Sequence, residues 1–197
     1  MDSRIDKTGL GLPLSRRRFI GLGSSLLAAP LLARLPLAAR EVPALPILPS
    51  DRSLSFFNTH THESLATEYC RDGCLDAAAL ERIDYILRDD RTGDIKKIDI
   101  RLLDLLVRLR EKIETVNPYH VISGYRSPKT NEDLRLHGGG GVAANSLHLY
   151  GQAIDIRVPG TRLNDLRDAA LALKGGGVGY YPGSDFIHVD VGRVRRW

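Results

Sequence analysis

The sequence predicts an α+β domain: a small antiparallel sheet with flanking helices. Apolar residues at helical spacing dominate the first half of the chain after residue 50. Short alternating segments separated by glycine and proline dominate the end. Helices first and strands later favour segregated layers over a parallel α/β sheet. Leu54 to Asn58 reads as an extended segment, followed by a turn at His60-Thr-His-Glu63. Leu75, Ala78, Ala79, Ile83 and Ile86 predict a helix over 75–86, and Leu102, Leu106, Leu109 and Ile113 predict a second from Ile98 to about Val116. Asn117-Pro118 ends it, because a residue before proline is pushed out of the helical region.

A strand follows at Tyr119 to Ser123. Ser127-Pro128 then introduces a short helix, Lys129 to His137, and Gly138 to Gly141 form a loop that could act as a lid. The loop lacks the Lys-Ser/Thr of a phosphate-binding loop. A strand over Ala153 to Val158 leads to a helix from Leu163 to Lys174, closed by three glycines. Val178 to Tyr181 and Phe186 to Val191 then form a hairpin about Pro182-Gly183. Of the neighbours Tyr180 and Tyr181, strand alternation sends one into the core.

The chain has 28 Lys and Arg against 24 Asp and Glu, and a sequence pI of about 9.2. The excess sits in the first 39 residues, which hold six basic and two acidic side chains. From residue 40 onward 22 of each balance, so no nucleic-acid footprint is expected. Residues 1–39 have the order of an export signal: Arg16-Arg17-Arg18-Phe19-Ile20, a largely apolar run from Gly21 to Ala33, then Leu37-Ala38-Ala39. The run is short of the roughly 20 residues of a membrane-spanning helix, so no stable span is expected after cleavage. The arginines followed by Phe-Ile resemble a twin-arginine signal, which implies a periplasmic protein. Residues 40–52 read as a Pro-rich linker and 53–197 as the folded domain. Cys70 and Cys74 form either a local disulfide or two free small hydrophobes.

The chemistry-bearing stretch is Ser146 to Asp155, with His188-Val189-Asp190 downstream. His148 precedes a turn, Gly151 lets the chain reverse, and Asp155 lies in a strand with Ile154 and Ile156 on its other face. His188 from an adjacent strand would complete two imidazoles and one carboxylate. Three protein ligands with a fourth position left for water is the arrangement of a catalytic zinc site. Such a water ionises near neutral pH and becomes a nucleophile. His60, His62 and Glu63 are too loosely spaced to suggest a second metal.

The pattern Ser-x-His-x6-Asp followed by His-x-Asp resembles the zinc D-alanyl-D-alanine peptidases and their peptidoglycan endopeptidase relatives, most closely the murein endopeptidase K group. Its markers are Ile122 to Pro128, Ser146 to Asp155, Gly176 to Pro182, and Phe186 to Asp190 with Trp197. The resemblance implies a hedgehog/DD-peptidase-like zinc domain with His148, Asp155 and His188 as zinc ligands. It places Arg126 at the site, holding a substrate carboxylate or the developing oxyanion. It offers Asp185, three residues before the last histidine, as general base. Asp190 is the competing candidate, as base or as a carboxylate orienting a ligand histidine. The implied substrate is peptidoglycan, cut at amide bonds in cross-links between diaminopimelate residues. The alternatives are a carboxypeptidase trimming terminal D-alanine and a peptidoglycan-binding module without turnover.

Overall fold

The computed structural model describes residues 48–137 and 142–197. The expected export signal, most of the linker and the Gly138–Gly141 lid lie outside the described residues. Among those described, no helix is long and apolar enough to cross a membrane. The elements run β1 (Arg52–Asn58), β2 (Ser64–Arg71), β3 (Cys74–Leu75), α1 (Ala77–Ile86), α2 (Ile100–Lys112), β4 (Tyr119–Ser123) and α3 (Pro128–His137). They continue with β5 (Ala153–Arg157), α4 (Leu163–Leu173), β6 (Gly177–Tyr181), β7 (Phe186–Asp190) and β8 (Arg195–Arg196).

The α+β class holds, but the sheet is neither small nor wholly antiparallel. Eight strands lie in the order β3-β2-β1-β4-β5-β7-β6-β8, with β1/β4 and β6/β8 parallel and the other pairs antiparallel. β2 carries no clear strand signal in its sequence because Ser64, Thr67, Glu68 and Arg71 dilute its apolar alternation. Its pairing with β1 over six registered positions supplies what local pattern lacks.

Helix limits follow their caps. Asp76 accepts from the N–H groups of Ala78 and Ala79, so α1 starts after Leu75, which belongs to β3. Asp99 accepts from the Arg101 N–H and starts α2 two residues later than the apolar spacing predicts. Glu114, in the left-handed region at φ 50°, follows the Ile113 cap and stops α2 short of Val116.

Leu102, Leu103, Leu106 and Leu109 of α2, Ile83 of α1 and Leu166 of α4 are fully buried, and they form one core with Leu54, Phe56, Ile154, Ile156, Ile187 and Val189 of the sheet. Each buried leucine contributes about 2 kcal/mol. Strand side chains alternate between faces, so turning Ile154, Ile156, Ile187 and Val189 to this core turns Asp155, His188 and Asp190 to the opposite face.

The two cysteines are unbonded: Cys70 is buried and Cys74 exposed. In the β2/β3 ladder Cys70 faces Leu75 and Arg71 faces Cys74. Successive positions in a ladder point to opposite faces, which directs the two thiols apart.

Candidate metal centre

Register assembles the site. Ser123 of β4 lies opposite Asp155 of β5, Asp155 opposite His188 of β7, and His188 opposite Gly179 of β6, a row across four strands. His148 comes from outside the sheet, on a 3-10 turn over Leu147–Tyr150. Ser146 caps that turn, its Oγ accepting from the His148 N–H at 3.4 Å. Gly151 ends it in the left-handed region at φ 66°, where a Cβ would fall 2.4 Å from the Lys97 carbonyl oxygen. Only glycine satisfies both the angle and the close approach.

Three ligand atoms converge there. His148 Nε2 is 3.2 Å from Asp155 Oδ1, His188 Nδ1 is 2.8 Å from the same oxygen, and the two ring nitrogens are 3.1 Å apart. The far nitrogens are already committed. His148 Nδ1–H donates to the Gly124 carbonyl at 2.6 Å, and His188 Nε2–H donates to Asp190 Oδ2 at 3.1 Å. A carbonyl and a carboxylate can only accept, so in the neutral rings the inward nitrogens carry lone pairs. Two lone pairs and a carboxylate oxygen then face one another while His148, Asp155, His188 and Asp190 are all buried. Such a trio can take a cation at its centre, and among the described residues it is the group of His, Cys, Asp or Glu side chains placed to hold a metal ion.

The buried charges of the cluster depend on one another. Burial pushes the His148 imidazole down. Burial also opposes charge on His188, but hydrogen bonds to Asp155 and Asp190 outweigh it and raise its pKa. Burial would raise the Asp155 carboxyl; His148, His188 and Arg126 instead hold it well below the usual carboxylate range. Asp190 is depressed in the same way, its burial outweighed by His188, Arg195 and the N–H groups of Gly177 and Gly192.

Arg126 donates through Nε to Ser123 Oγ at 2.8 Å and through Nη2 to Asp155 Oδ2. A cavity of about 450 Å³ opens over the cluster, lined by Arg126, His148, Asp155 and His188 together with Asp90, Tyr181 and Trp197, among others. Tyr181 thus faces the cavity, while Tyr180 packs against the core beneath the Arg167 guanidinium.

The structure brings together five of the six residues singled out from sequence, and the sixth stands apart. Asp185 occupies a left-handed position at φ 52° just before β7, and its carboxylate turns to Arg157 Nη1 at 3.4 Å, largely exposed. It does not line the cavity, although its chain neighbours Ser184 and Phe186 do. Asp190 is saturated: Oδ1 accepts from Gly177 N, Gly192 N and Arg195 Nη1, and Oδ2 from His188 Nε2 and Arg195 Nη2. Glu63 pairs with Arg88 at 2.8 Å rather than with His60 or His62. Sequence reasoning missed the roles of Gly124, whose carbonyl orients His148, and of Trp197, whose ring lies 5.2 Å from that of His188. The first had no side chain to signal it. Trp197 was visible only as the last marker of the motif set.

A hydrolase that gathers these groups under a cavity belongs to the metallopeptidases. Residues 48–197 match the family described as Peptidoglycan L,D-endopeptidase MepK, and the chain belongs to it. The Peptidoglycan L,D-endopeptidase MepK of Escherichia coli (strain K12) is 40% identical over 183 residues, which cover 93% of this chain and 97% of the relative. The Probable peptidoglycan L,D-endopeptidase MepK of Haemophilus influenzae is 38% identical over 184 residues, covering 93% and 95%.

Proposed function

We propose that the protein is a zinc-dependent peptidoglycan endopeptidase that hydrolyses cross-links between diaminopimelate residues, acting in the periplasm after twin-arginine export. The observation that carries the reading is the convergence of His148 Nε2, Asp155 Oδ1 and His188 Nδ1 under the cavity. The relatives' names support the bond class, since both specify an L,D-endopeptidase of peptidoglycan. Two imidazoles and one carboxylate suit zinc with a position left for water, and the bound ion supplies a water acidic enough to attack at neutral pH.

The chain's own residues do the rest. Hydrolysis forms a C–O bond at the carbonyl carbon and breaks the C–N bond, and the nitrogen leaves as an amine after gaining a proton. Arg126, held by Ser123 and Asp155, presents a permanently charged fork to the oxygen on which negative charge develops. Asp190 is a positioning residue: with every acceptor site filled it fixes the tautomer and ring plane of His188 rather than moving a proton. Asp185 is the general base once its side chain turns from Arg157 toward the cavity. Support for this comes from its flanking residues on the cavity wall and the length of its exposed ion pair.

Digestion of purified muropeptide dimers, read by mass spectrometry, tests the reading. Products separating two diaminopimelate residues are expected. Release of D-alanine alone would establish the carboxypeptidase instead, and intact dimers bound by the protein would establish a binding module.

A further inference from the structure

The cavity has a charged rim that the hydrolytic machinery does not use. Asp90 and Arg91 both line it, on a turn fixed by the buried Asp89. Asp89 Oδ1 accepts from the N–H groups of Arg91 and Thr92 at 2.9 and 3.2 Å, and its backbone bonds close the turn to Gly93 and Asp94. Asp89 Oδ2 accepts from the Ser127 N–H at 2.6 Å, which ties the turn to the residue that follows Arg126. The rim therefore holds a fixed place relative to Arg126.

Among the described residues neither rim charge is consumed by the fold. The nearest partner of Asp90 is the half-exposed His60, at 3.9 Å, beyond hydrogen-bonding distance. Among the described residues the Arg91 guanidinium makes no hydrogen bond or ion pair. A carboxylate and a guanidinium on consecutive residues of one rigid turn match a group that carries an ammonium and a carboxylate on a single carbon. Because the turn's backbone is already ordered, binding such a group has to fix only the two side chains.

We propose that Asp90 and Arg91 form a specificity subsite for the free amino-acid end of the residue that supplies the scissile carbonyl, Asp90 taking its ammonium and Arg91 its carboxylate. This rests on the endopeptidase reading above and adds to it the residues that select the diaminopimelate–diaminopimelate cross-link. In a dimer joined between two diaminopimelates, the carbonyl donor carries that zwitterionic end. In a dimer joined from D-alanine, the donor carries only a methyl group and has the opposite configuration, so the acetylated dimer is the arm that isolates the charge. A site built for charged groups rejects the methyl because its own charges lose water without gaining partners.

The test uses the full chain loaded with zinc and three purified substrates: the diaminopimelate–diaminopimelate dimer, the same dimer acetylated at its single free amine, and the D-alanine–diaminopimelate dimer. Acetylation removes the ammonium and leaves the scissile bond intact. The wild type is expected to prefer the first dimer to both others by about tenfold or more in kcat/KM. Asp90→Asn lowers kcat/KM for the first dimer and makes the protein indifferent to acetylation within about twofold, and Arg91→Gln raises KM about tenfold with kcat held. Equal sensitivity of wild type and Asp90→Asn to acetylation, or an unchanged KM in Arg91→Gln, overturns the subsite while the endopeptidase stands. Failure of the wild type to cut any dimer overturns the endopeptidase reading, and the subsite with it.

Discussion

His188 is held between two carboxylates: its Nδ1 lies 2.8 Å from Asp155 Oδ1 and its Nε2–H donates to Asp190 Oδ2 at 3.1 Å. One carboxylate shares the ligand cluster with the ring, and the other fixes which nitrogen keeps its proton. Sequence separation hides this division, because Asp190 is two residues from His188 and Asp155 is thirty-three. The β5/β7 register makes the distant residue the direct neighbour.

Asp190→Asn is expected to weaken metal affinity about 10–100-fold, because an amide in place of the carboxylate no longer favours the Nε2–H tautomer as strongly. Competition against a chelator measures it. Unchanged affinity would show that the ring needs no such partner.

Arg126→Lys keeps a positive charge and loses the planar fork. A fall of about 100-fold or more in kcat is expected, with metal content unchanged. Full activity in the lysine variant would remove Arg126 from the chemistry.

Asp185→Asn is expected to retain the metal and lose about 100-fold or more in kcat. Full activity would remove Asp185 as the base and leave its side chain a surface partner of Arg157.

Much of this architecture was legible before the structure. The three-and-four spacing of Leu102, Leu106 and Leu109 marked α2, and the Pro182-Gly183 turn marked the β6/β7 hairpin, because these signals are local. β2 and β8 were not legible. Arg195–Arg196 has no strand pattern of its own and is a strand only because β6 accepts it as a parallel neighbour. In the site, His148, Asp155, His188 and Arg126 were readable as motif positions. The orientation of Asp185 was not, since it depends on a left-handed backbone angle and on Arg157 across the sheet.

Asp89 gives the fold a pH dependence of known sign. Burial alone would raise its pKa; the Ser127 N–H, the Thr130 and Ser127 hydroxyls and the Arg91 N–H lower it instead. A carboxyl depressed in the folded state stabilises the fold above its unfolded pKa of about 3.9, and that stabilisation is lost as pH falls through the folded value. Asp89→Asn should cost about 1–3 kcal/mol at pH 7, and the gap in Tm to the wild type should narrow below about pH 4. A gap independent of pH would contradict this.

Gly124→Ala places a Cβ 2.4 Å from the Leu87 carbonyl oxygen, which is backbone and cannot swing aside. Destabilisation of about 1–3 kcal/mol is expected in a denaturant titration. Metal affinity should fall as well, because the Gly124 carbonyl that orients His148 moves. Wild-type stability would show that the two segments can separate without cost.

Metal dependence is tested most directly by stripping the full chain with a chelator, restoring zinc in steps, and following bound metal and cleavage of the diaminopimelate–diaminopimelate dimer in the same samples. Cleavage is expected to vanish with the metal and to return in proportion to it, reaching its limit at one ion per chain, and His188→Ala is expected neither to bind nor to cleave. Undiminished cleavage by the stripped protein would contradict it.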